Sequence, residues 1–332
     1  MMKVLIVKLS SIGDVVHTLP ALDALDAGFK RKGIKARIDW LVEEAASGML
    51  AGHPQIDEVI VVKRGWGKNL FANLRTAKAL RERSYDLVLD FQGLLKSGIW
   101  VFLTAGKKRA GFSNAREFSR IFLNEKLPPY DIERHAVDRY LDLARHFSGG
   151  TGEARFTLDL AGAERSVEKK LKDSGVSGPF FVMVTRARWA TKLWQDERFI
   201  ELAKRVIAER KLKAVLTGGP SELSALAGMS KAIGDGAVTF GTSLKEFAAL
   251  SVLSSFVVTV DSGPMHIAAA AGAKVVALFG PTAPWRTGPY GKGHVVVRKG
   301  LECSPCFKRD CPDPRCMDGI TVDDVVKALQ KI

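Results

Sequence analysis

The feature that most constrains this chain is a repeated pairing of a short, almost wholly apolar run with a Gly-, Ser- or Asp-bearing turn and a helix-length segment. The first pairing is a strand expected at 3–8, with Val4-Leu5-Ile6-Val7 at its centre, which runs through Lys8-Leu9-Ser10-Ser11-Ile12-Gly13-Asp14 into a helix expected over 14–28. Strands buried on both faces are continuous apolar runs, and helix-flanked parallel sheets are where they occur. Further strands are expected at 38–43, 58–62, 85–91 and 109–112, with helices at 69–83, 95–103 and 134–147. Ser148-Gly149-Gly150-Thr151-Gly152 reads as the start of a linker. After a helix at 163–174 the alternation restarts, with strands at 180–185, 212–217, 237–241, 256–260, 274–279 and 294–298. Its helices are expected at 196–210, 221–232, 243–253, 264–271 and 321–331. The pattern predicts an α/β chain with two Rossmann-like parallel-sheet domains, 1–155 and 156–332, facing a central cleft, and a final helix able to pack back toward the first domain.

Apolar residues make up 46% of the 332 and charged residues 26%, the balance of a soluble protein with substantial cores. No apolar run approaches the roughly 18 residues of a membrane-spanning helix, and no secretory signal precedes the first strand, so a cytoplasmic protein is expected. No amphipathic membrane anchor stands out either. The net charge of +14 calls for an anionic partner: nucleic acid, a phosphorylated metabolite or an anionic membrane surface. Basic residues are scattered, with local density at Lys63-Arg64, Lys107-Lys108-Arg109 and from Arg116 to Arg120. No nucleic-acid-binding motif accompanies them, which ranks nucleic acid below phosphorylated or lipid-borne ligands.

In open α/β sheets ligands gather at the carboxyl ends of strands, where helix-opening amides favour anions. Asp14 stands at such a junction, either as a helix cap or as a carboxylate at the rim of a site. A second junction is Val257-Val258-Thr259-Val260-Asp261-Ser262-Gly263-Pro264-Met265-His266, with Pro264 suited to a helix's first turn. There Asp261 suits sugar hydroxyls, the Ser262-Gly263 turn suits a phosphate, and His266 is either a diphosphate contact or a structural histidine. Gly280-Pro281-Thr282 closes the next strand in the same way. Thr185-Arg186-Ala187-Arg188-Trp189-Ala190-Thr191-Lys192 follows the first strand of the second half. Lys192 suits a point-charge phosphate contact and Arg188 a bidentate one, while Trp189 and Trp194 can simply pack against the adjoining helix. In Thr217-Gly218-Gly219-Pro220-Ser221-Glu222, the carboxylate of Glu222 either binds ribose hydroxyls or favours the helix dipole. None of these segments is a P-loop, a dinucleotide-binding Gly-x-Gly-x-x-Gly or a nucleophile elbow. Helix ends, Lys and Arg for a nucleotide diphosphate, with one carboxylate as a base for an incoming hydroxyl, point to glycosyl transfer.

At these residues the chain resembles glycosyltransferase family 9, and within it the lipopolysaccharide heptosyltransferases. The likeness rests on Lys8-Leu9-Ser10-Ser11-Ile12-Gly13-Asp14-Val15-Val16-His17-Thr18-Leu19-Pro20-Ala21-Leu22, on Asp39-Trp40-Leu41-Val42-Glu43-Glu44, on Tyr85 to Ser97, on Ala115-Arg116-Glu117 and on the Asp261–His266 segment. The resemblance implies a GT-B fold and an inverting transferase needing neither metal nor cofactor. It implies transfer of L-glycero-D-manno-heptose from ADP-heptose to the Kdo (3-deoxy-octulosonate) residue of Kdo-lipid A. The alternatives are the enzyme that adds the second heptose and another family 9 nucleotide-sugar transferase. By the same resemblance Asp14 matches the catalytic base. Arg188, Thr191, Lys192, Glu222, Asp261, Ser262, Gly263 and His266 fall on the donor site, while Ser11, Gly13, Lys63, Arg64, Arg116 and Arg120 face the acidic acceptor. A lipid-borne acceptor further implies transient contact with the cytoplasmic face of the inner membrane.

Cys303, Cys306, Cys311 and Cys316 lie within one short segment. The first pair has the spacing of a zinc site, and the wider later spacings fit one less well. A structural metal, a disulfide and packed reduced thiols all remain open, with a cytosolic setting arguing against the disulfide. The cluster is more reminiscent of the second-heptose enzymes and other members of the family than of the first-heptose enzymes.

Overall fold

The computed structural model describes residues 1–65, 69–150 and 152–332; Thr151, in the expected linker, lies outside the described residues. The chain forms two compact units, Met1–Asp159 and Leu160–Ile332. Each is built around a six-stranded, all-parallel sheet.

In the first unit the strands are β1 (Met2–Val7), β2 (Ala36–Glu43), β3 (Glu58–Val62), β4 (Leu87–Asp90), β5 (Lys108–Phe112) and β6 (Glu125–Leu127), in the order β3-β2-β1-β4-β5-β6. The chain winds outward from β1 to β3, then returns to the other side of β1 as β4. That reversal makes the carboxyl ends of β1 and β4 the natural ligand position. The register fixes what meets there: Val7 lies opposite both Leu41 and Asp90, so Lys8, Glu43 and Asp90 emerge from adjacent strands. On one face of this sheet, helix Ile12–Arg31 packs along helix Ala136–Ser148. Their approach is so close that a Cβ on Gly28 would lie 2.6 Å from the Ser148 Cβ, which explains glycine there. Helices Leu70–Glu82 and Leu95–Leu103 share a separate core with Leu5, Val7, Val88 and Leu123.

In the second unit the strands are β7 (Phe180–Val184), β8 (Lys213–Leu216), β9 (Ala237–Thr239), β10 (Val257–Val260), β11 (Val275–Phe279) and β12 (Val295–Arg298), in the order β12-β11-β10-β7-β8-β9. The reversal here lies between β7 and β10, so the segments after Val184 and Val260 flank it. The last helix, Val322–Leu329, packs on β11, β12 and helix Asp196–Arg210 of its own unit. Its Val325 and Leu329 join a core that includes Phe199, Trp194 and Val258.

The expected elements are present, and the structure adds several the sequence reading lacked. Strand β6 is three residues of Glu125-Lys126-Leu127, too short and too charged to register as an apolar run. Single-turn helices at Glu44–Ser47, Pro284–Thr287 and Arg315–Asp318 are likewise below the length at which helical periodicity is visible. No helix among the described residues is long and apolar enough to cross a membrane.

Candidate active site

In the first unit the site is organised by a buried lysine. Lys8 follows β1 directly, and its ammonium donates to the Phe91 carbonyl at 2.9 Å and to the Tyr140 hydroxyl at 2.6 Å. It also stands 3.9 Å from Asp14 Oδ1. Burial pushes the Lys8 amine below the usual lysine value, against the opposing pull of Asp14 and Asp90. Burial likewise lifts Asp90 above the ordinary carboxylate range, although it accepts from the Gly93 and Gln92 amides and the Ser97 hydroxyl. The Tyr140 phenol is raised well above its usual value by burial first and then by the charge of Asp14, so it stays a neutral donor and acceptor.

Asp14 divides its two carboxylate oxygens. Oδ2 accepts from the Ser11 amide at 3.0 Å and the Ser11 hydroxyl at 2.7 Å, closing a capping box on helix Ile12–Arg31. Oδ1 faces Lys8, and the side chain remains partly exposed. The cap and the rim carboxylate, alternatives in the sequence, therefore coexist on one residue. The loop between them is pinned from outside: Gln92 Oε1 accepts from the Leu9 and Ser10 amides at 3.1 and 3.0 Å. Lys96 donates to Ser10 Oγ and Glu43 Oε1, both at 2.6 Å.

Ser11, Gly13 and Asp14 thus come together. Arg116 acts electrostatically on Tyr140 and its amide donates to Gly93 O at 2.9 Å, which brings it beside this group. Among the described residues, the hydrogen bonds of this network do not reach the exposed side chains of Lys63, Arg64 or Arg120. Sequence reasoning gave no role to Lys8, Glu43, Asp90, Gln92, Lys96 or Tyr140. A lysine ending an apolar strand, and carboxylates ending two others, were visible signals; nothing local marked Tyr140.

In the second unit Asp261, just past β10, is buried and holds two partners. Lys192 Nζ lies 2.5 Å from Asp261 Oδ2, and the Thr282 hydroxyl donates to the same oxygen at 2.6 Å. The expected sugar-binding carboxylate and phosphate-binding lysine are thus an ion pair. Lys192 also sits 4.6 Å above the Trp189 ring, whose centroid is 5.0 Å from the Arg309 guanidinium. Trp189 is therefore a support for cations, whereas Trp194 is buried against Phe199 and donates to the Ile320 carbonyl at 2.9 Å. Helix Gly263–Ala270 opens immediately after Asp261 with Pro264 in its first turn. The buried Ser262 Oγ at its start has no hydrogen-bond partner among the described residues. His266 is buried in the same turn.

Glu222 turns back to accept from the Gly219 amide at 2.7 Å, and its charge reaches Arg186, which forks onto Asp196 at 2.5 and 2.7 Å. Arg188 is exposed, and the Thr191 hydroxyl donates to the Lys308 carbonyl at 2.9 Å. That last bond ties the cysteine segment to this site. Ser304 Oγ donates to the Gly280 carbonyl, and the Cys306 and Phe307 amides both donate to the Pro281 carbonyl. The four cysteines are free thiols, Cys303 exposed and Cys316 buried, with burial raising the Cys316 thiol above its usual value. Among the described residues no three His, Cys, Asp or Glu side chains are grouped to hold a metal.

Residues 73–316 match Glycosyltransferase family 9 (heptosyltransferase). Lipopolysaccharide heptosyltransferase 1 of Pseudomonas aeruginosa is 34% identical over 323 residues, covering 93% of this chain and 87% of that protein. The solved E. coli heptosyltransferase WaaC with ADP superposes with a TM-score of 0.78 at 29% identity, covering 99% of each chain. WaaC with ADP-2-deoxy-2-fluoro heptose gives a TM-score of 0.75 at 28% identity, again over 99% of each chain. Two Rossmann-like units with parallel sheets are the GT-B architecture of these enzymes. The chain belongs to glycosyltransferase family 9, the heptosyltransferases.

Proposed function

We propose that this enzyme transfers heptose from ADP-heptose to the Kdo residue of Kdo-lipid A, with inversion, and that Asp14 is its general base. The observation that carries the reading is the division of labour within Asp14. One oxygen holds the residue through the cap, and the other is turned toward the buried Lys8 amine, 3.9 Å away.

In this scheme Asp14 takes the proton of the acceptor hydroxyl, and the freed oxygen attacks the anomeric carbon on the face opposite the diphosphate. The bond from that carbon to the ADP oxygen breaks, and its electron pair leaves with ADP. Lys192, His266 and the opening turn of helix Gly263–Ala270 offset the charge that develops there, and Ser262 Oγ gains the partner it lacks. Asp261 and Glu222 bind heptose and ribose hydroxyls, with Arg188 and Thr191 along the same donor. Ser11, Gly13, Lys63, Arg64, Arg116 and Arg120 bind the anionic acceptor, and the enzyme meets that lipid at the cytoplasmic face of the inner membrane. The donor named in the WaaC complex supports the ADP-heptose assignment. Identity to the first-heptose enzymes supports Kdo as acceptor over a heptose already in place.

The test is release of ADP from ADP-heptose with acceptors ending in Kdo or in Kdo-heptose. Turnover is expected on the first; turnover confined to the second would assign the later step, and none on either would sink the reading.

A further inference from the structure

Helix Leu95–Leu103 carries apolar residues on its outer as well as its inner face: Trp100 and Val101 are buried, while Leu95 and Phe102 are exposed, with half-buried Ile99 between them at helical spacing. A surface helix ordinarily turns polar residues outward. Its neighbours share the anomaly. On helix Leu70–Glu82, Ala77 and Leu80 are buried while Phe71 is 85% exposed and Leu74 49%. On the short 3-10 turn Ser119–Phe122 and the residue before it, Ile121 is 65% and Phe118 75% exposed. The three elements lie side by side: both helices and Leu123 cover one face of the first unit's sheet, and Phe102 meets Phe122 at a ring separation of 5.8 Å.

Apolar side chains massed on neighbouring elements mark an interaction site rather than ordinary surface. Exposed cations border them: Lys63 and Arg64 beyond β3, Arg75 and Lys78 on the helix that carries Phe71, Arg116 and Arg120 on either side of Phe118. Glu117, the acid in this border nearest Phe118, is engaged by the Leu95 amide at 3.1 Å. Aromatic and aliphatic side chains set in a basic rim match the acyl boundary and anionic headgroups of a bilayer.

We propose that this face of the first unit, centred on Phe71, Phe102, Phe118 and Ile121, seats the enzyme on an anionic lipid bilayer. The inference deepens the proposed function, on which it rests for choosing a bilayer over a soluble partner. No single segment announces the surface, because each contributing element is too short to be an amphipathic anchor alone.

The test measures co-sedimentation of the full chain with vesicles of phosphatidylglycerol and phosphatidylcholine, or of phosphatidylcholine alone. Alongside it, turnover is measured on a water-soluble Kdo acceptor without acyl chains. The native protein should bind the anionic vesicles at least tenfold better than neutral ones and release from them at high salt. Combined Phe71→Ser, Phe102→Ser and Ile121→Ser should lower that binding at least tenfold with soluble-acceptor turnover within twofold of native. Arg75→Gln with Lys78→Gln, which removes two exposed charges and with them the 3.9 Å contact of Lys78 with Glu82, should weaken it severalfold. Equal binding to both vesicle types, or unchanged binding by the triple variant, overturns the proposal. So does a self-association that the triple variant abolishes in a protein that ignores vesicles, which would make this a face between copies. Vesicle binding without heptose transfer would overturn the functional reading and leave the surface standing; transfer without vesicle binding would do the reverse.

Discussion

Substituting Lys192 should cost the enzyme stability before any donor is added. Lys192 is 16% and Asp261 5% exposed, and their 2.5 Å contact is largely withdrawn from water. Lys192→Ala leaves the Asp261 carboxylate buried with, among the described residues, only the Thr282 hydroxyl as side-chain partner. Removing one member of a buried pair typically costs about 3–5 kcal/mol, because the remaining charge is uncompensated. For a unit of this size each kcal/mol lowers Tm by about 2–4 °C, so a fall of roughly 6–20 °C is expected in the second unit's transition. The double variant Lys192→Met, Asp261→Asn removes both charges while Asn still accepts from Thr282, and it should recover most of the loss. Calorimetry on the native protein, Lys192→Met, Asp261→Asn and the double variant closes the cycle. A coupling energy of about 2–3 kcal/mol is expected. Single effects that simply add, within about 0.5 kcal/mol, would refute the idea that the pair supports the fold. ADP sharpens the experiment. At 100 times its Kd it should stabilise the native protein by about 2.7 kcal/mol. The double variant should lose most of that gain despite its recovered fold, which separates phosphate binding from stability.

Asp14→Asn keeps an oxygen for the Ser11 amide, so it should fold normally, bind ADP normally and lose roughly two to four powers of ten in turnover. Near-native turnover would remove Asp14 as the base. Asp14→Ala should add about 1 kcal/mol of destabilisation by losing the cap. Burial pushes the Glu246 carboxyl up, but Lys170, the Ser166 hydroxyl and the Ser243 amide outweigh it and hold its pKa at about 2. Its folded value lies below the unfolded one, so about 3 kcal/mol of stability is present above pH 4.5 and lost as pH falls toward 2. Glu246→Gln should flatten that acid slope in urea titrations; an unchanged slope would contradict it. At Gly280 a Cβ would lie 2.6 Å from Met317 Cγ and 3.1 Å from Cys316 Sγ. Gly280→Ala should therefore cost about 1–3 kcal/mol by overpacking and weaken ADP binding by shifting the neighbouring Thr282. Native stability and ADP affinity would show that the cysteine segment yields freely.

What could be read in the sequence, and what could not, follows from the range of the interactions. Val4–Val7 and Val257–Val260 are legible as parallel strands because both faces are buried and the run needs no alternation. Asp261, Ser262 and Lys192 are legible as a site because each stands at a junction that the strand-to-helix pattern marks by itself. That Lys192 and Asp261 bind one another is not, since β7 and β10 become neighbours only when the chain reverses across the sheet. The same holds more strongly in the first unit. Lys8 meets Phe91 because β1 pairs with β4, and it meets Tyr140 because a helix more than a hundred residues later packs along the helix that Asp14 opens. A lysine ending an apolar strand reads, in isolation, as the point where the chain returns to water. Buried instead, it gives the helix-capping carboxylate beside it an electrostatic setting that an ordinary cap lacks. The sequence posed cap against base as a choice between roles. A carboxylate has two oxygens, and the packing of distant elements determines what the second one faces.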